Sequence, residues 1–79
     1  MRRQTISGSS NIAEIGYDMD AMTLEVKFQS GDIYQYWPIT RTGYEALMKA
    51  ESKGSYFYKH IRNDPKINYK EVDELQARD

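Results

Sequence analysis

The sequence predicts an α+β domain: a three-stranded antiparallel β-meander followed by two short helices packed on one sheet face. Two observations carry this. From Ile12 to Trp37 the apolar residues recur at every second position in three segments separated by turn residues. From Thr40 to Asn63 they recur at three- and four-residue spacing.

The first strand is Ile12 to Tyr17, with Ala13, Ile15 and Tyr17 on one side, and Asp18-Met19-Asp20-Ala21-Met22 is the turn after it. Thr23 to Gln29 alternates cleanly, with Leu24, Val26 and Phe28 on one face and Thr23, Glu25 and Lys27 on the other. Ser30-Gly31 marks a hairpin, and Asp32 to Trp37 follows until Pro38 stops it. Thr40 or Thr42 caps the first helix, Thr42 forming a capping box with Glu45, and Tyr44, Leu47 and Met48 make its apolar stripe. Ser52-Lys53-Gly54 breaks that helix and starts another, in which Phe57, His60 and Ile61 share a face and which Asn63-Asp64-Pro65 ends. Residues 1–65 thus read as a single domain. Residues 66–79 read as a polar, acidic C-terminal tail, frayed or weakly helical, although Tyr69, Val72 and Leu75 fall at three-residue spacing.

Composition narrows the function classes. Leu, Ile, Val and Phe make up only 18% of the 79 residues, and seven Tyr, two Phe and one Trp replace the missing apolar mass. With a net charge of −1 the chain lacks the high charge that accompanies disorder. The absence of cysteine excludes disulfides, thiolate zinc sites and a cysteine nucleophile. No apolar run approaches the roughly 20 residues that span a bilayer, and the basic start at Arg2-Arg3 has no apolar stretch behind it, so a cytoplasmic protein is expected. Charge is sorted along the chain: +2 over residues 1–10, −4 over 11–48, +4 over 49–70 and −3 over 71–79. An acidic tail of Glu71, Asp73, Glu74 and Asp79 is positioned in sequence to fold back on the basic segment.

No catalytic set emerges. His60 has Asp64 four residues on, but no strand-to-helix nucleophile turn accompanies them, and a surface histidine is the simpler reading. Asp18 and Asp20 resemble the start of a calcium loop, yet Thr23 and Gln29 stand where that loop needs glycine and glutamate, so turn chemistry accounts for them. The five glycines are scattered singly, which leaves no phosphate-cradling loop. Neither an enzyme nor a metal or cofactor is expected.

What remains is aromatic and basic. The side on which Tyr34 and Tyr36 lie depends on the hairpin at Ser30-Gly31. A two-residue turn pairs Phe28 with Ile33, sets Leu24, Val26, Phe28, Ile33 and Trp37 towards the helices and leaves both tyrosines outside beside Lys27. A three-residue loop with Gly31 in a bulge pairs Phe28 with Asp32 and turns both tyrosines inward. The first register is narrowly preferred because it collects more purely apolar residues. A second cluster, Tyr56-Phe57-Tyr58 followed by Lys59, His60 and Arg62, lies in the second helix.

Taken together, Ser9-Ser10-Asn11-Ile12, Ile15-Gly16-Tyr17-Asp18, Leu24-x-Val26-x-Phe28 with Gly31, Tyr34-x-Tyr36, Tyr44 and Ser52-x-Gly54-x-x-Phe57-x-x-x-Ile61 resemble the KTSC domain, over about residues 4–63. That family is named for its place at the C-terminus of some lysyl-tRNA synthetases, and its stand-alone members are small bacterial or phage proteins. The resemblance implies no established activity. It implies RNA binding by association with a tRNA enzyme, and it makes Tyr34 and Tyr36 the focal motif.

The expected function is a non-catalytic nucleic-acid-binding module, for RNA, in which Tyr34, Tyr36 and Tyr58 stack and Lys53, Lys59, Arg62 and Lys66 meet phosphate. A sequence pI near 5.8 is low for such a module, and only the +4 segment supplies the cations. The alternative is a protein-interaction module, in which exposed tyrosines and the edge of the third strand receive a partner chain or a second copy.

Overall fold

In the computed structural model, which describes residues 1–77, five antiparallel strands form one sheet in the order β1-β2-β3-β4-β5. The strands are β1 (Arg3–Thr5), β2 (Ile12–Asp18), β3 (Thr23–Phe28), β4 (Ile33–Trp37) and β5 (Asn68–Val72). Between β4 and β5 the chain forms α1 (Arg41–Lys49) and α2 (Lys53–Phe57), and α2 runs on into a π-helical turn, Tyr58–Arg62. A short α3 (Glu74–Ala77) follows β5. The predicted meander is therefore present as β2-β3-β4, but it is the middle of a wider sheet.

Both added strands correct the reading from sequence. β1 is three residues long, too short to show alternation. Asn68–Val72, read as frayed or weakly helical, pairs along β4 with Tyr36 opposite Tyr69 and Ile33 opposite Val72. Four of its five residues are exposed, the polar character that edge strands carry. The third predicted strand, β4, consequently has a neighbour on each side and offers no open edge.

The hairpin takes the register that was not preferred. Lys27 opposes Ile33 and Val26 opposes Tyr34, while the Phe28 N–H donates to the Asp32 carbonyl at 2.9 Å. Gly31 sits at φ 98°, and its N–H donates to the Phe28 carbonyl, which makes the three-residue loop with a glycine bulge. Tyr34 and Tyr36 therefore join Leu24, Val26 and Phe28 on the helix side. Ile33, expected among the helices, instead packs against Val72 in a separate small cluster, and Trp37 shares that far face.

The main core lies between the sheet and the helices, built from Ile12, Ile15, Leu24, Val26, Tyr36, Leu47, Phe57 and Ile61 among others. A bulge between Ile12 and Glu14 lets Ile12 and Ile15 both point inward. Thr40, rather than Thr42, caps α1 by accepting from the Gly43 N–H, and Glu45 pairs with Arg41 instead of closing a capping box. Tyr17 and Tyr44 stack with centroids 4.5 Å apart, and the Tyr17 hydroxyl donates to the Ile39 carbonyl. Those two tyrosines do the work of the missing aliphatic residues.

On the other sheet face, polar residues pair with one another around one buried carboxylate. Glu25 is 0% exposed. It accepts from Arg3 Nη1 at 2.6 Å and from Gln35 Nε2 at 2.8 Å. Arg3 also donates from Nε to Glu14 and from Nη2 to Glu74, and Lys27 reaches Glu74 at 3.2 Å. Burial by itself would lower the Arg3 pKa, but its hydrogen bonds to the three carboxylates outweigh that and the net shift is upward. Gly16 makes the crossing possible. It lies between Arg3 and Glu25 in register, where an added Cβ would come within 2.7 Å of the Arg2 carbonyl oxygen and 3.0 Å of the Arg3 stem. Glu74 thus pairs on the face away from the basic segment, whereas the register sets Glu71 opposite Tyr34, on the helix side. Asp79, part of the acidic tail, lies outside the described residues.

Candidate functional site

On the helix side, the sheet and α2 leave an open groove. Its floor is aromatic. Phe28 and Phe57 meet edge to face at 5.7 Å, and Phe57 meets Tyr36 likewise at 5.1 Å. Tyr34 and Tyr36 lie nearly parallel at 6.3 Å, because residues two apart on one strand share a face. Tyr69 comes from β5, with ring centroids 6.2 Å from Tyr36 and 6.3 Å from Tyr34.

The wall opposite β5 is cationic. The Ser52 hydroxyl caps α2 by accepting from the Ser55 N–H, which sets Lys53 and Gly54 at the groove. Past Phe57 the helix widens: the Asn63 N–H reaches back five residues to the Tyr58 carbonyl at 3.2 Å. This π-turn keeps Ile61 in the core and carries Tyr58, Lys59 and Arg62 along the rim. The Arg62 guanidinium carbon lies 5.6 Å from the Tyr58 ring centre, a cation–π contact. Among the described residues neither Lys59 nor Arg62 is in an ion pair, whereas Arg3, Lys27 and Arg41 all are. Asp32 is the one carboxylate among the described residues that line the groove, and the Ser30 hydroxyl donates to it at 3.1 Å.

Six of the seven residues singled out from sequence line this one groove: Tyr34, Tyr36, Lys53, Tyr58, Lys59 and Arg62. Lys66 does not. It sits in the turn after the π-segment, its N–H donating to the Asp64 carboxylate at 2.9 Å. Tyr36 is present but recessed at 4% exposure, so it serves as floor and cannot offer an open ring face. Burial pushes its phenol pKa up to about 12, against the pull of Arg62. Tyr69 was missed, because its strand was read as a tail.

The other candidates are structural. The Asp18 carboxylate accepts from the Asp20 and Ala21 N–H groups, an Asx turn. His60, placed with Phe57 and Ile61 by spacing, is exposed with its ring 4.4 Å from Tyr56, and the Asp64 side chain serves its own turn. No helix among the described residues is long and apolar enough to cross a membrane.

The family model of the KTSC domain matches residues 8–64. The chain belongs to the KTSC domain family. The match takes in β2, β3, β4, α1, α2 and the π-turn, and β1 and β5 lie outside it. A solved KTSC domain protein of Yersinia pestis is 34% identical, superposes with a TM-score of 0.80, and is aligned over 90% of this chain and 96% of that one. A lysine–tRNA ligase of Trichormus variabilis is 38% identical over 63 residues, which is 80% of this KTSC chain but 11% of the ligase. A protein of Stutzerimonas stutzeri is 39% identical over 49 residues, 69% of its length. The KTSC domain is thus found both within a much larger enzyme and as a small module.

Proposed function

We propose that this KTSC domain is a non-catalytic module that binds single-stranded RNA in the groove between α2 and β5. The observation that carries the reading is the convergence of six candidates from two separate segments on one surface, with aromatic rings on the floor and, among the described residues, cations without ion pairs on the rim. Single-stranded nucleic acid is bound by that combination, bases against rings and phosphates against cations. The π-turn that displaces Tyr58, Lys59 and Arg62 along the rim is of the kind concentrated at functional sites. Relatives named as joining lysine to tRNA also support RNA as the partner class, by association.

Three rim cations, Lys53, Lys59 and Arg62, set the expected salt dependence. For a single strand the slope of log affinity against log salt should be about −2. Titrating a labelled mixed-sequence oligoribonucleotide at several salt concentrations measures it. Absence of binding at low salt would refute the proposal.

A second reading rests on the exposed edge of β5, which offers its backbone to another strand. A second copy is a poor occupant, since symmetric antiparallel pairing centred on Lys70 or on Glu71 sets like charges opposite each other. Sedimentation should therefore show a monomer. A salt-insensitive complex with a single protein would favour this second reading over RNA.

A further inference from the structure

We infer that Tyr69, from the strand outside the KTSC match, is a platform on which an unpaired base stacks, backed by the rings of the Tyr34-x-Tyr36 motif; this rests on the reading of the groove as a single-strand site. Three observations converge on it. The β4–β5 register makes Tyr36 and Tyr69 direct partners, so the rings from two strands meet on one face. Tyr36 is buried, whereas Tyr69 is 67% exposed, which leaves Tyr69 with an open ring face beside an aromatic floor. Its ring is tilted 32° from Tyr36 and 42° from Tyr34, so it is not stacked flat on either, and it lines the groove.

A tyrosine held on a strand gives up little conformational freedom on binding and presents a rigid surface. Sequence-tolerant stacking on such a ring strengthens single-strand binding, and its loss weakens binding roughly tenfold. The charge around it suits nucleic acid. Arg62, held against Tyr58, and Lys59 line the same groove and have no carboxylate partner among the described residues, so phosphates next to the stacked base have cations within that groove. An acidic peptide would satisfy the cations but would make no use of the open ring.

Binding of a short labelled oligouridylate and of a matched abasic strand at low salt tests the platform, using the full chain and its Tyr69→Ala and Tyr69→Phe variants. Tyr69→Ala should weaken oligouridylate about tenfold and the abasic strand little, with the salt slope unchanged, and Tyr69→Phe should bind as the parent does. Circular dichroism of each variant checks that the exposed substitution leaves the fold intact. Equal affinity of Tyr69→Ala and parent for oligouridylate overturns the platform, as does an equal loss on both strands or a loss with Phe as large as with Ala. Failure of the parent chain to bind either strand, or polyglutamate competing as well as oligouridylate, overturns the RNA reading itself.

Discussion

Along β3, Leu24, Val26 and Phe28 meet the helices and the aromatic groove, while Glu25 and Lys27, one residue out of phase, meet a layer of paired charge. The same alternation divides β4, where Tyr34 and Tyr36 face one way and Gln35 the other. The aromatic face keeps its polar atoms at the rim, where Lys59 and Arg62 remain unpaired among the described residues. The ionic face consumes its polar atoms internally, three carboxylates on the Arg3 guanidinium and two donors on Glu25. One face thereby keeps cations that its own carboxylates do not neutralise among the described residues. The other ties the first strand, the middle of the sheet and α3 together, spanning from Arg3 to Glu74. Buried charge is a poor general route to stability, and here it joins Arg3 of β1 to Glu25 of β3 across Gly16 of β2.

The sharpest way to break this comparison is to remove the shared cation. Arg3→Ala leaves Glu25 buried without its opposite charge, at an expected cost of about 3–5 kcal/mol. That is comparable with the whole stability expected of so short a domain. Urea titration followed by circular dichroism should find the variant largely unfolded before denaturant is added. Replacing Arg3 by Met together with Glu25 by Leu should recover much of the loss, since no uncompensated charge then remains on those two positions. A cost below about 1 kcal/mol for Arg3→Ala would show that Glu25 reaches water and that the ionic face is not a core.

The same contrast accounts for what could be read in advance. The meander and the two helices were legible because alternation, a glycine turn and helical spacing are local signals. The hairpin register was not, although both loop lengths were in view. Counting apolar residues favoured placing Ile33 and Trp37 inside. Ile33 instead finds cover on the far face against Val72 of the distant β5, and no local pattern announces such a contact. β5 escaped for the opposite reason. Its Lys70 and Glu71 look like a solvated tail, and edge strands are built to look so. Missing β5 meant missing Tyr69. Lys66 was included on charge order alone, and a turn keeps it out of the groove.

A smaller effect, of opposite pH sense, should appear on the aromatic face. Burial raises the Tyr36 phenol to about 12, with Arg62 opposing and Tyr34 and Tyr69 adding to the rise. A phenol whose pKa is higher folded than unfolded contributes stability that is complete below pH 10 and is lost as pH climbs towards 12. Over that interval about 3 kcal/mol should disappear, an order-of-magnitude figure from the two-unit gap. Burial raises the Tyr17 phenol as well, and it adds in the same direction. Phenolate absorbance measured alongside thermal unfolding checks this. Tyr36→Phe should flatten most of the alkaline loss, and an unchanged profile would mean that the groove floor admits hydroxide and is not the dry surface that burial describes.

The smallest effect belongs to the exposed end of the ionic network. Hydrogen bonds from Arg3, and then from Lys27, hold the Glu74 carboxyl below its ordinary value. Its contribution is therefore present above the ordinary carboxylate range and lost as pH falls through the lower folded value. Because Glu74 is open to solvent, added salt should screen that contribution, unlike the Arg3–Glu25 pair beneath it. Glu74→Gln should accordingly quicken amide hydrogen exchange in α3, leave the β3 amides protected, and lose its difference from the parent chain at high salt. Global unfolding of Glu74→Gln at the level of Arg3→Ala would mean that docking of α3, and not the Arg3 guanidinium, is what keeps Glu25 dry.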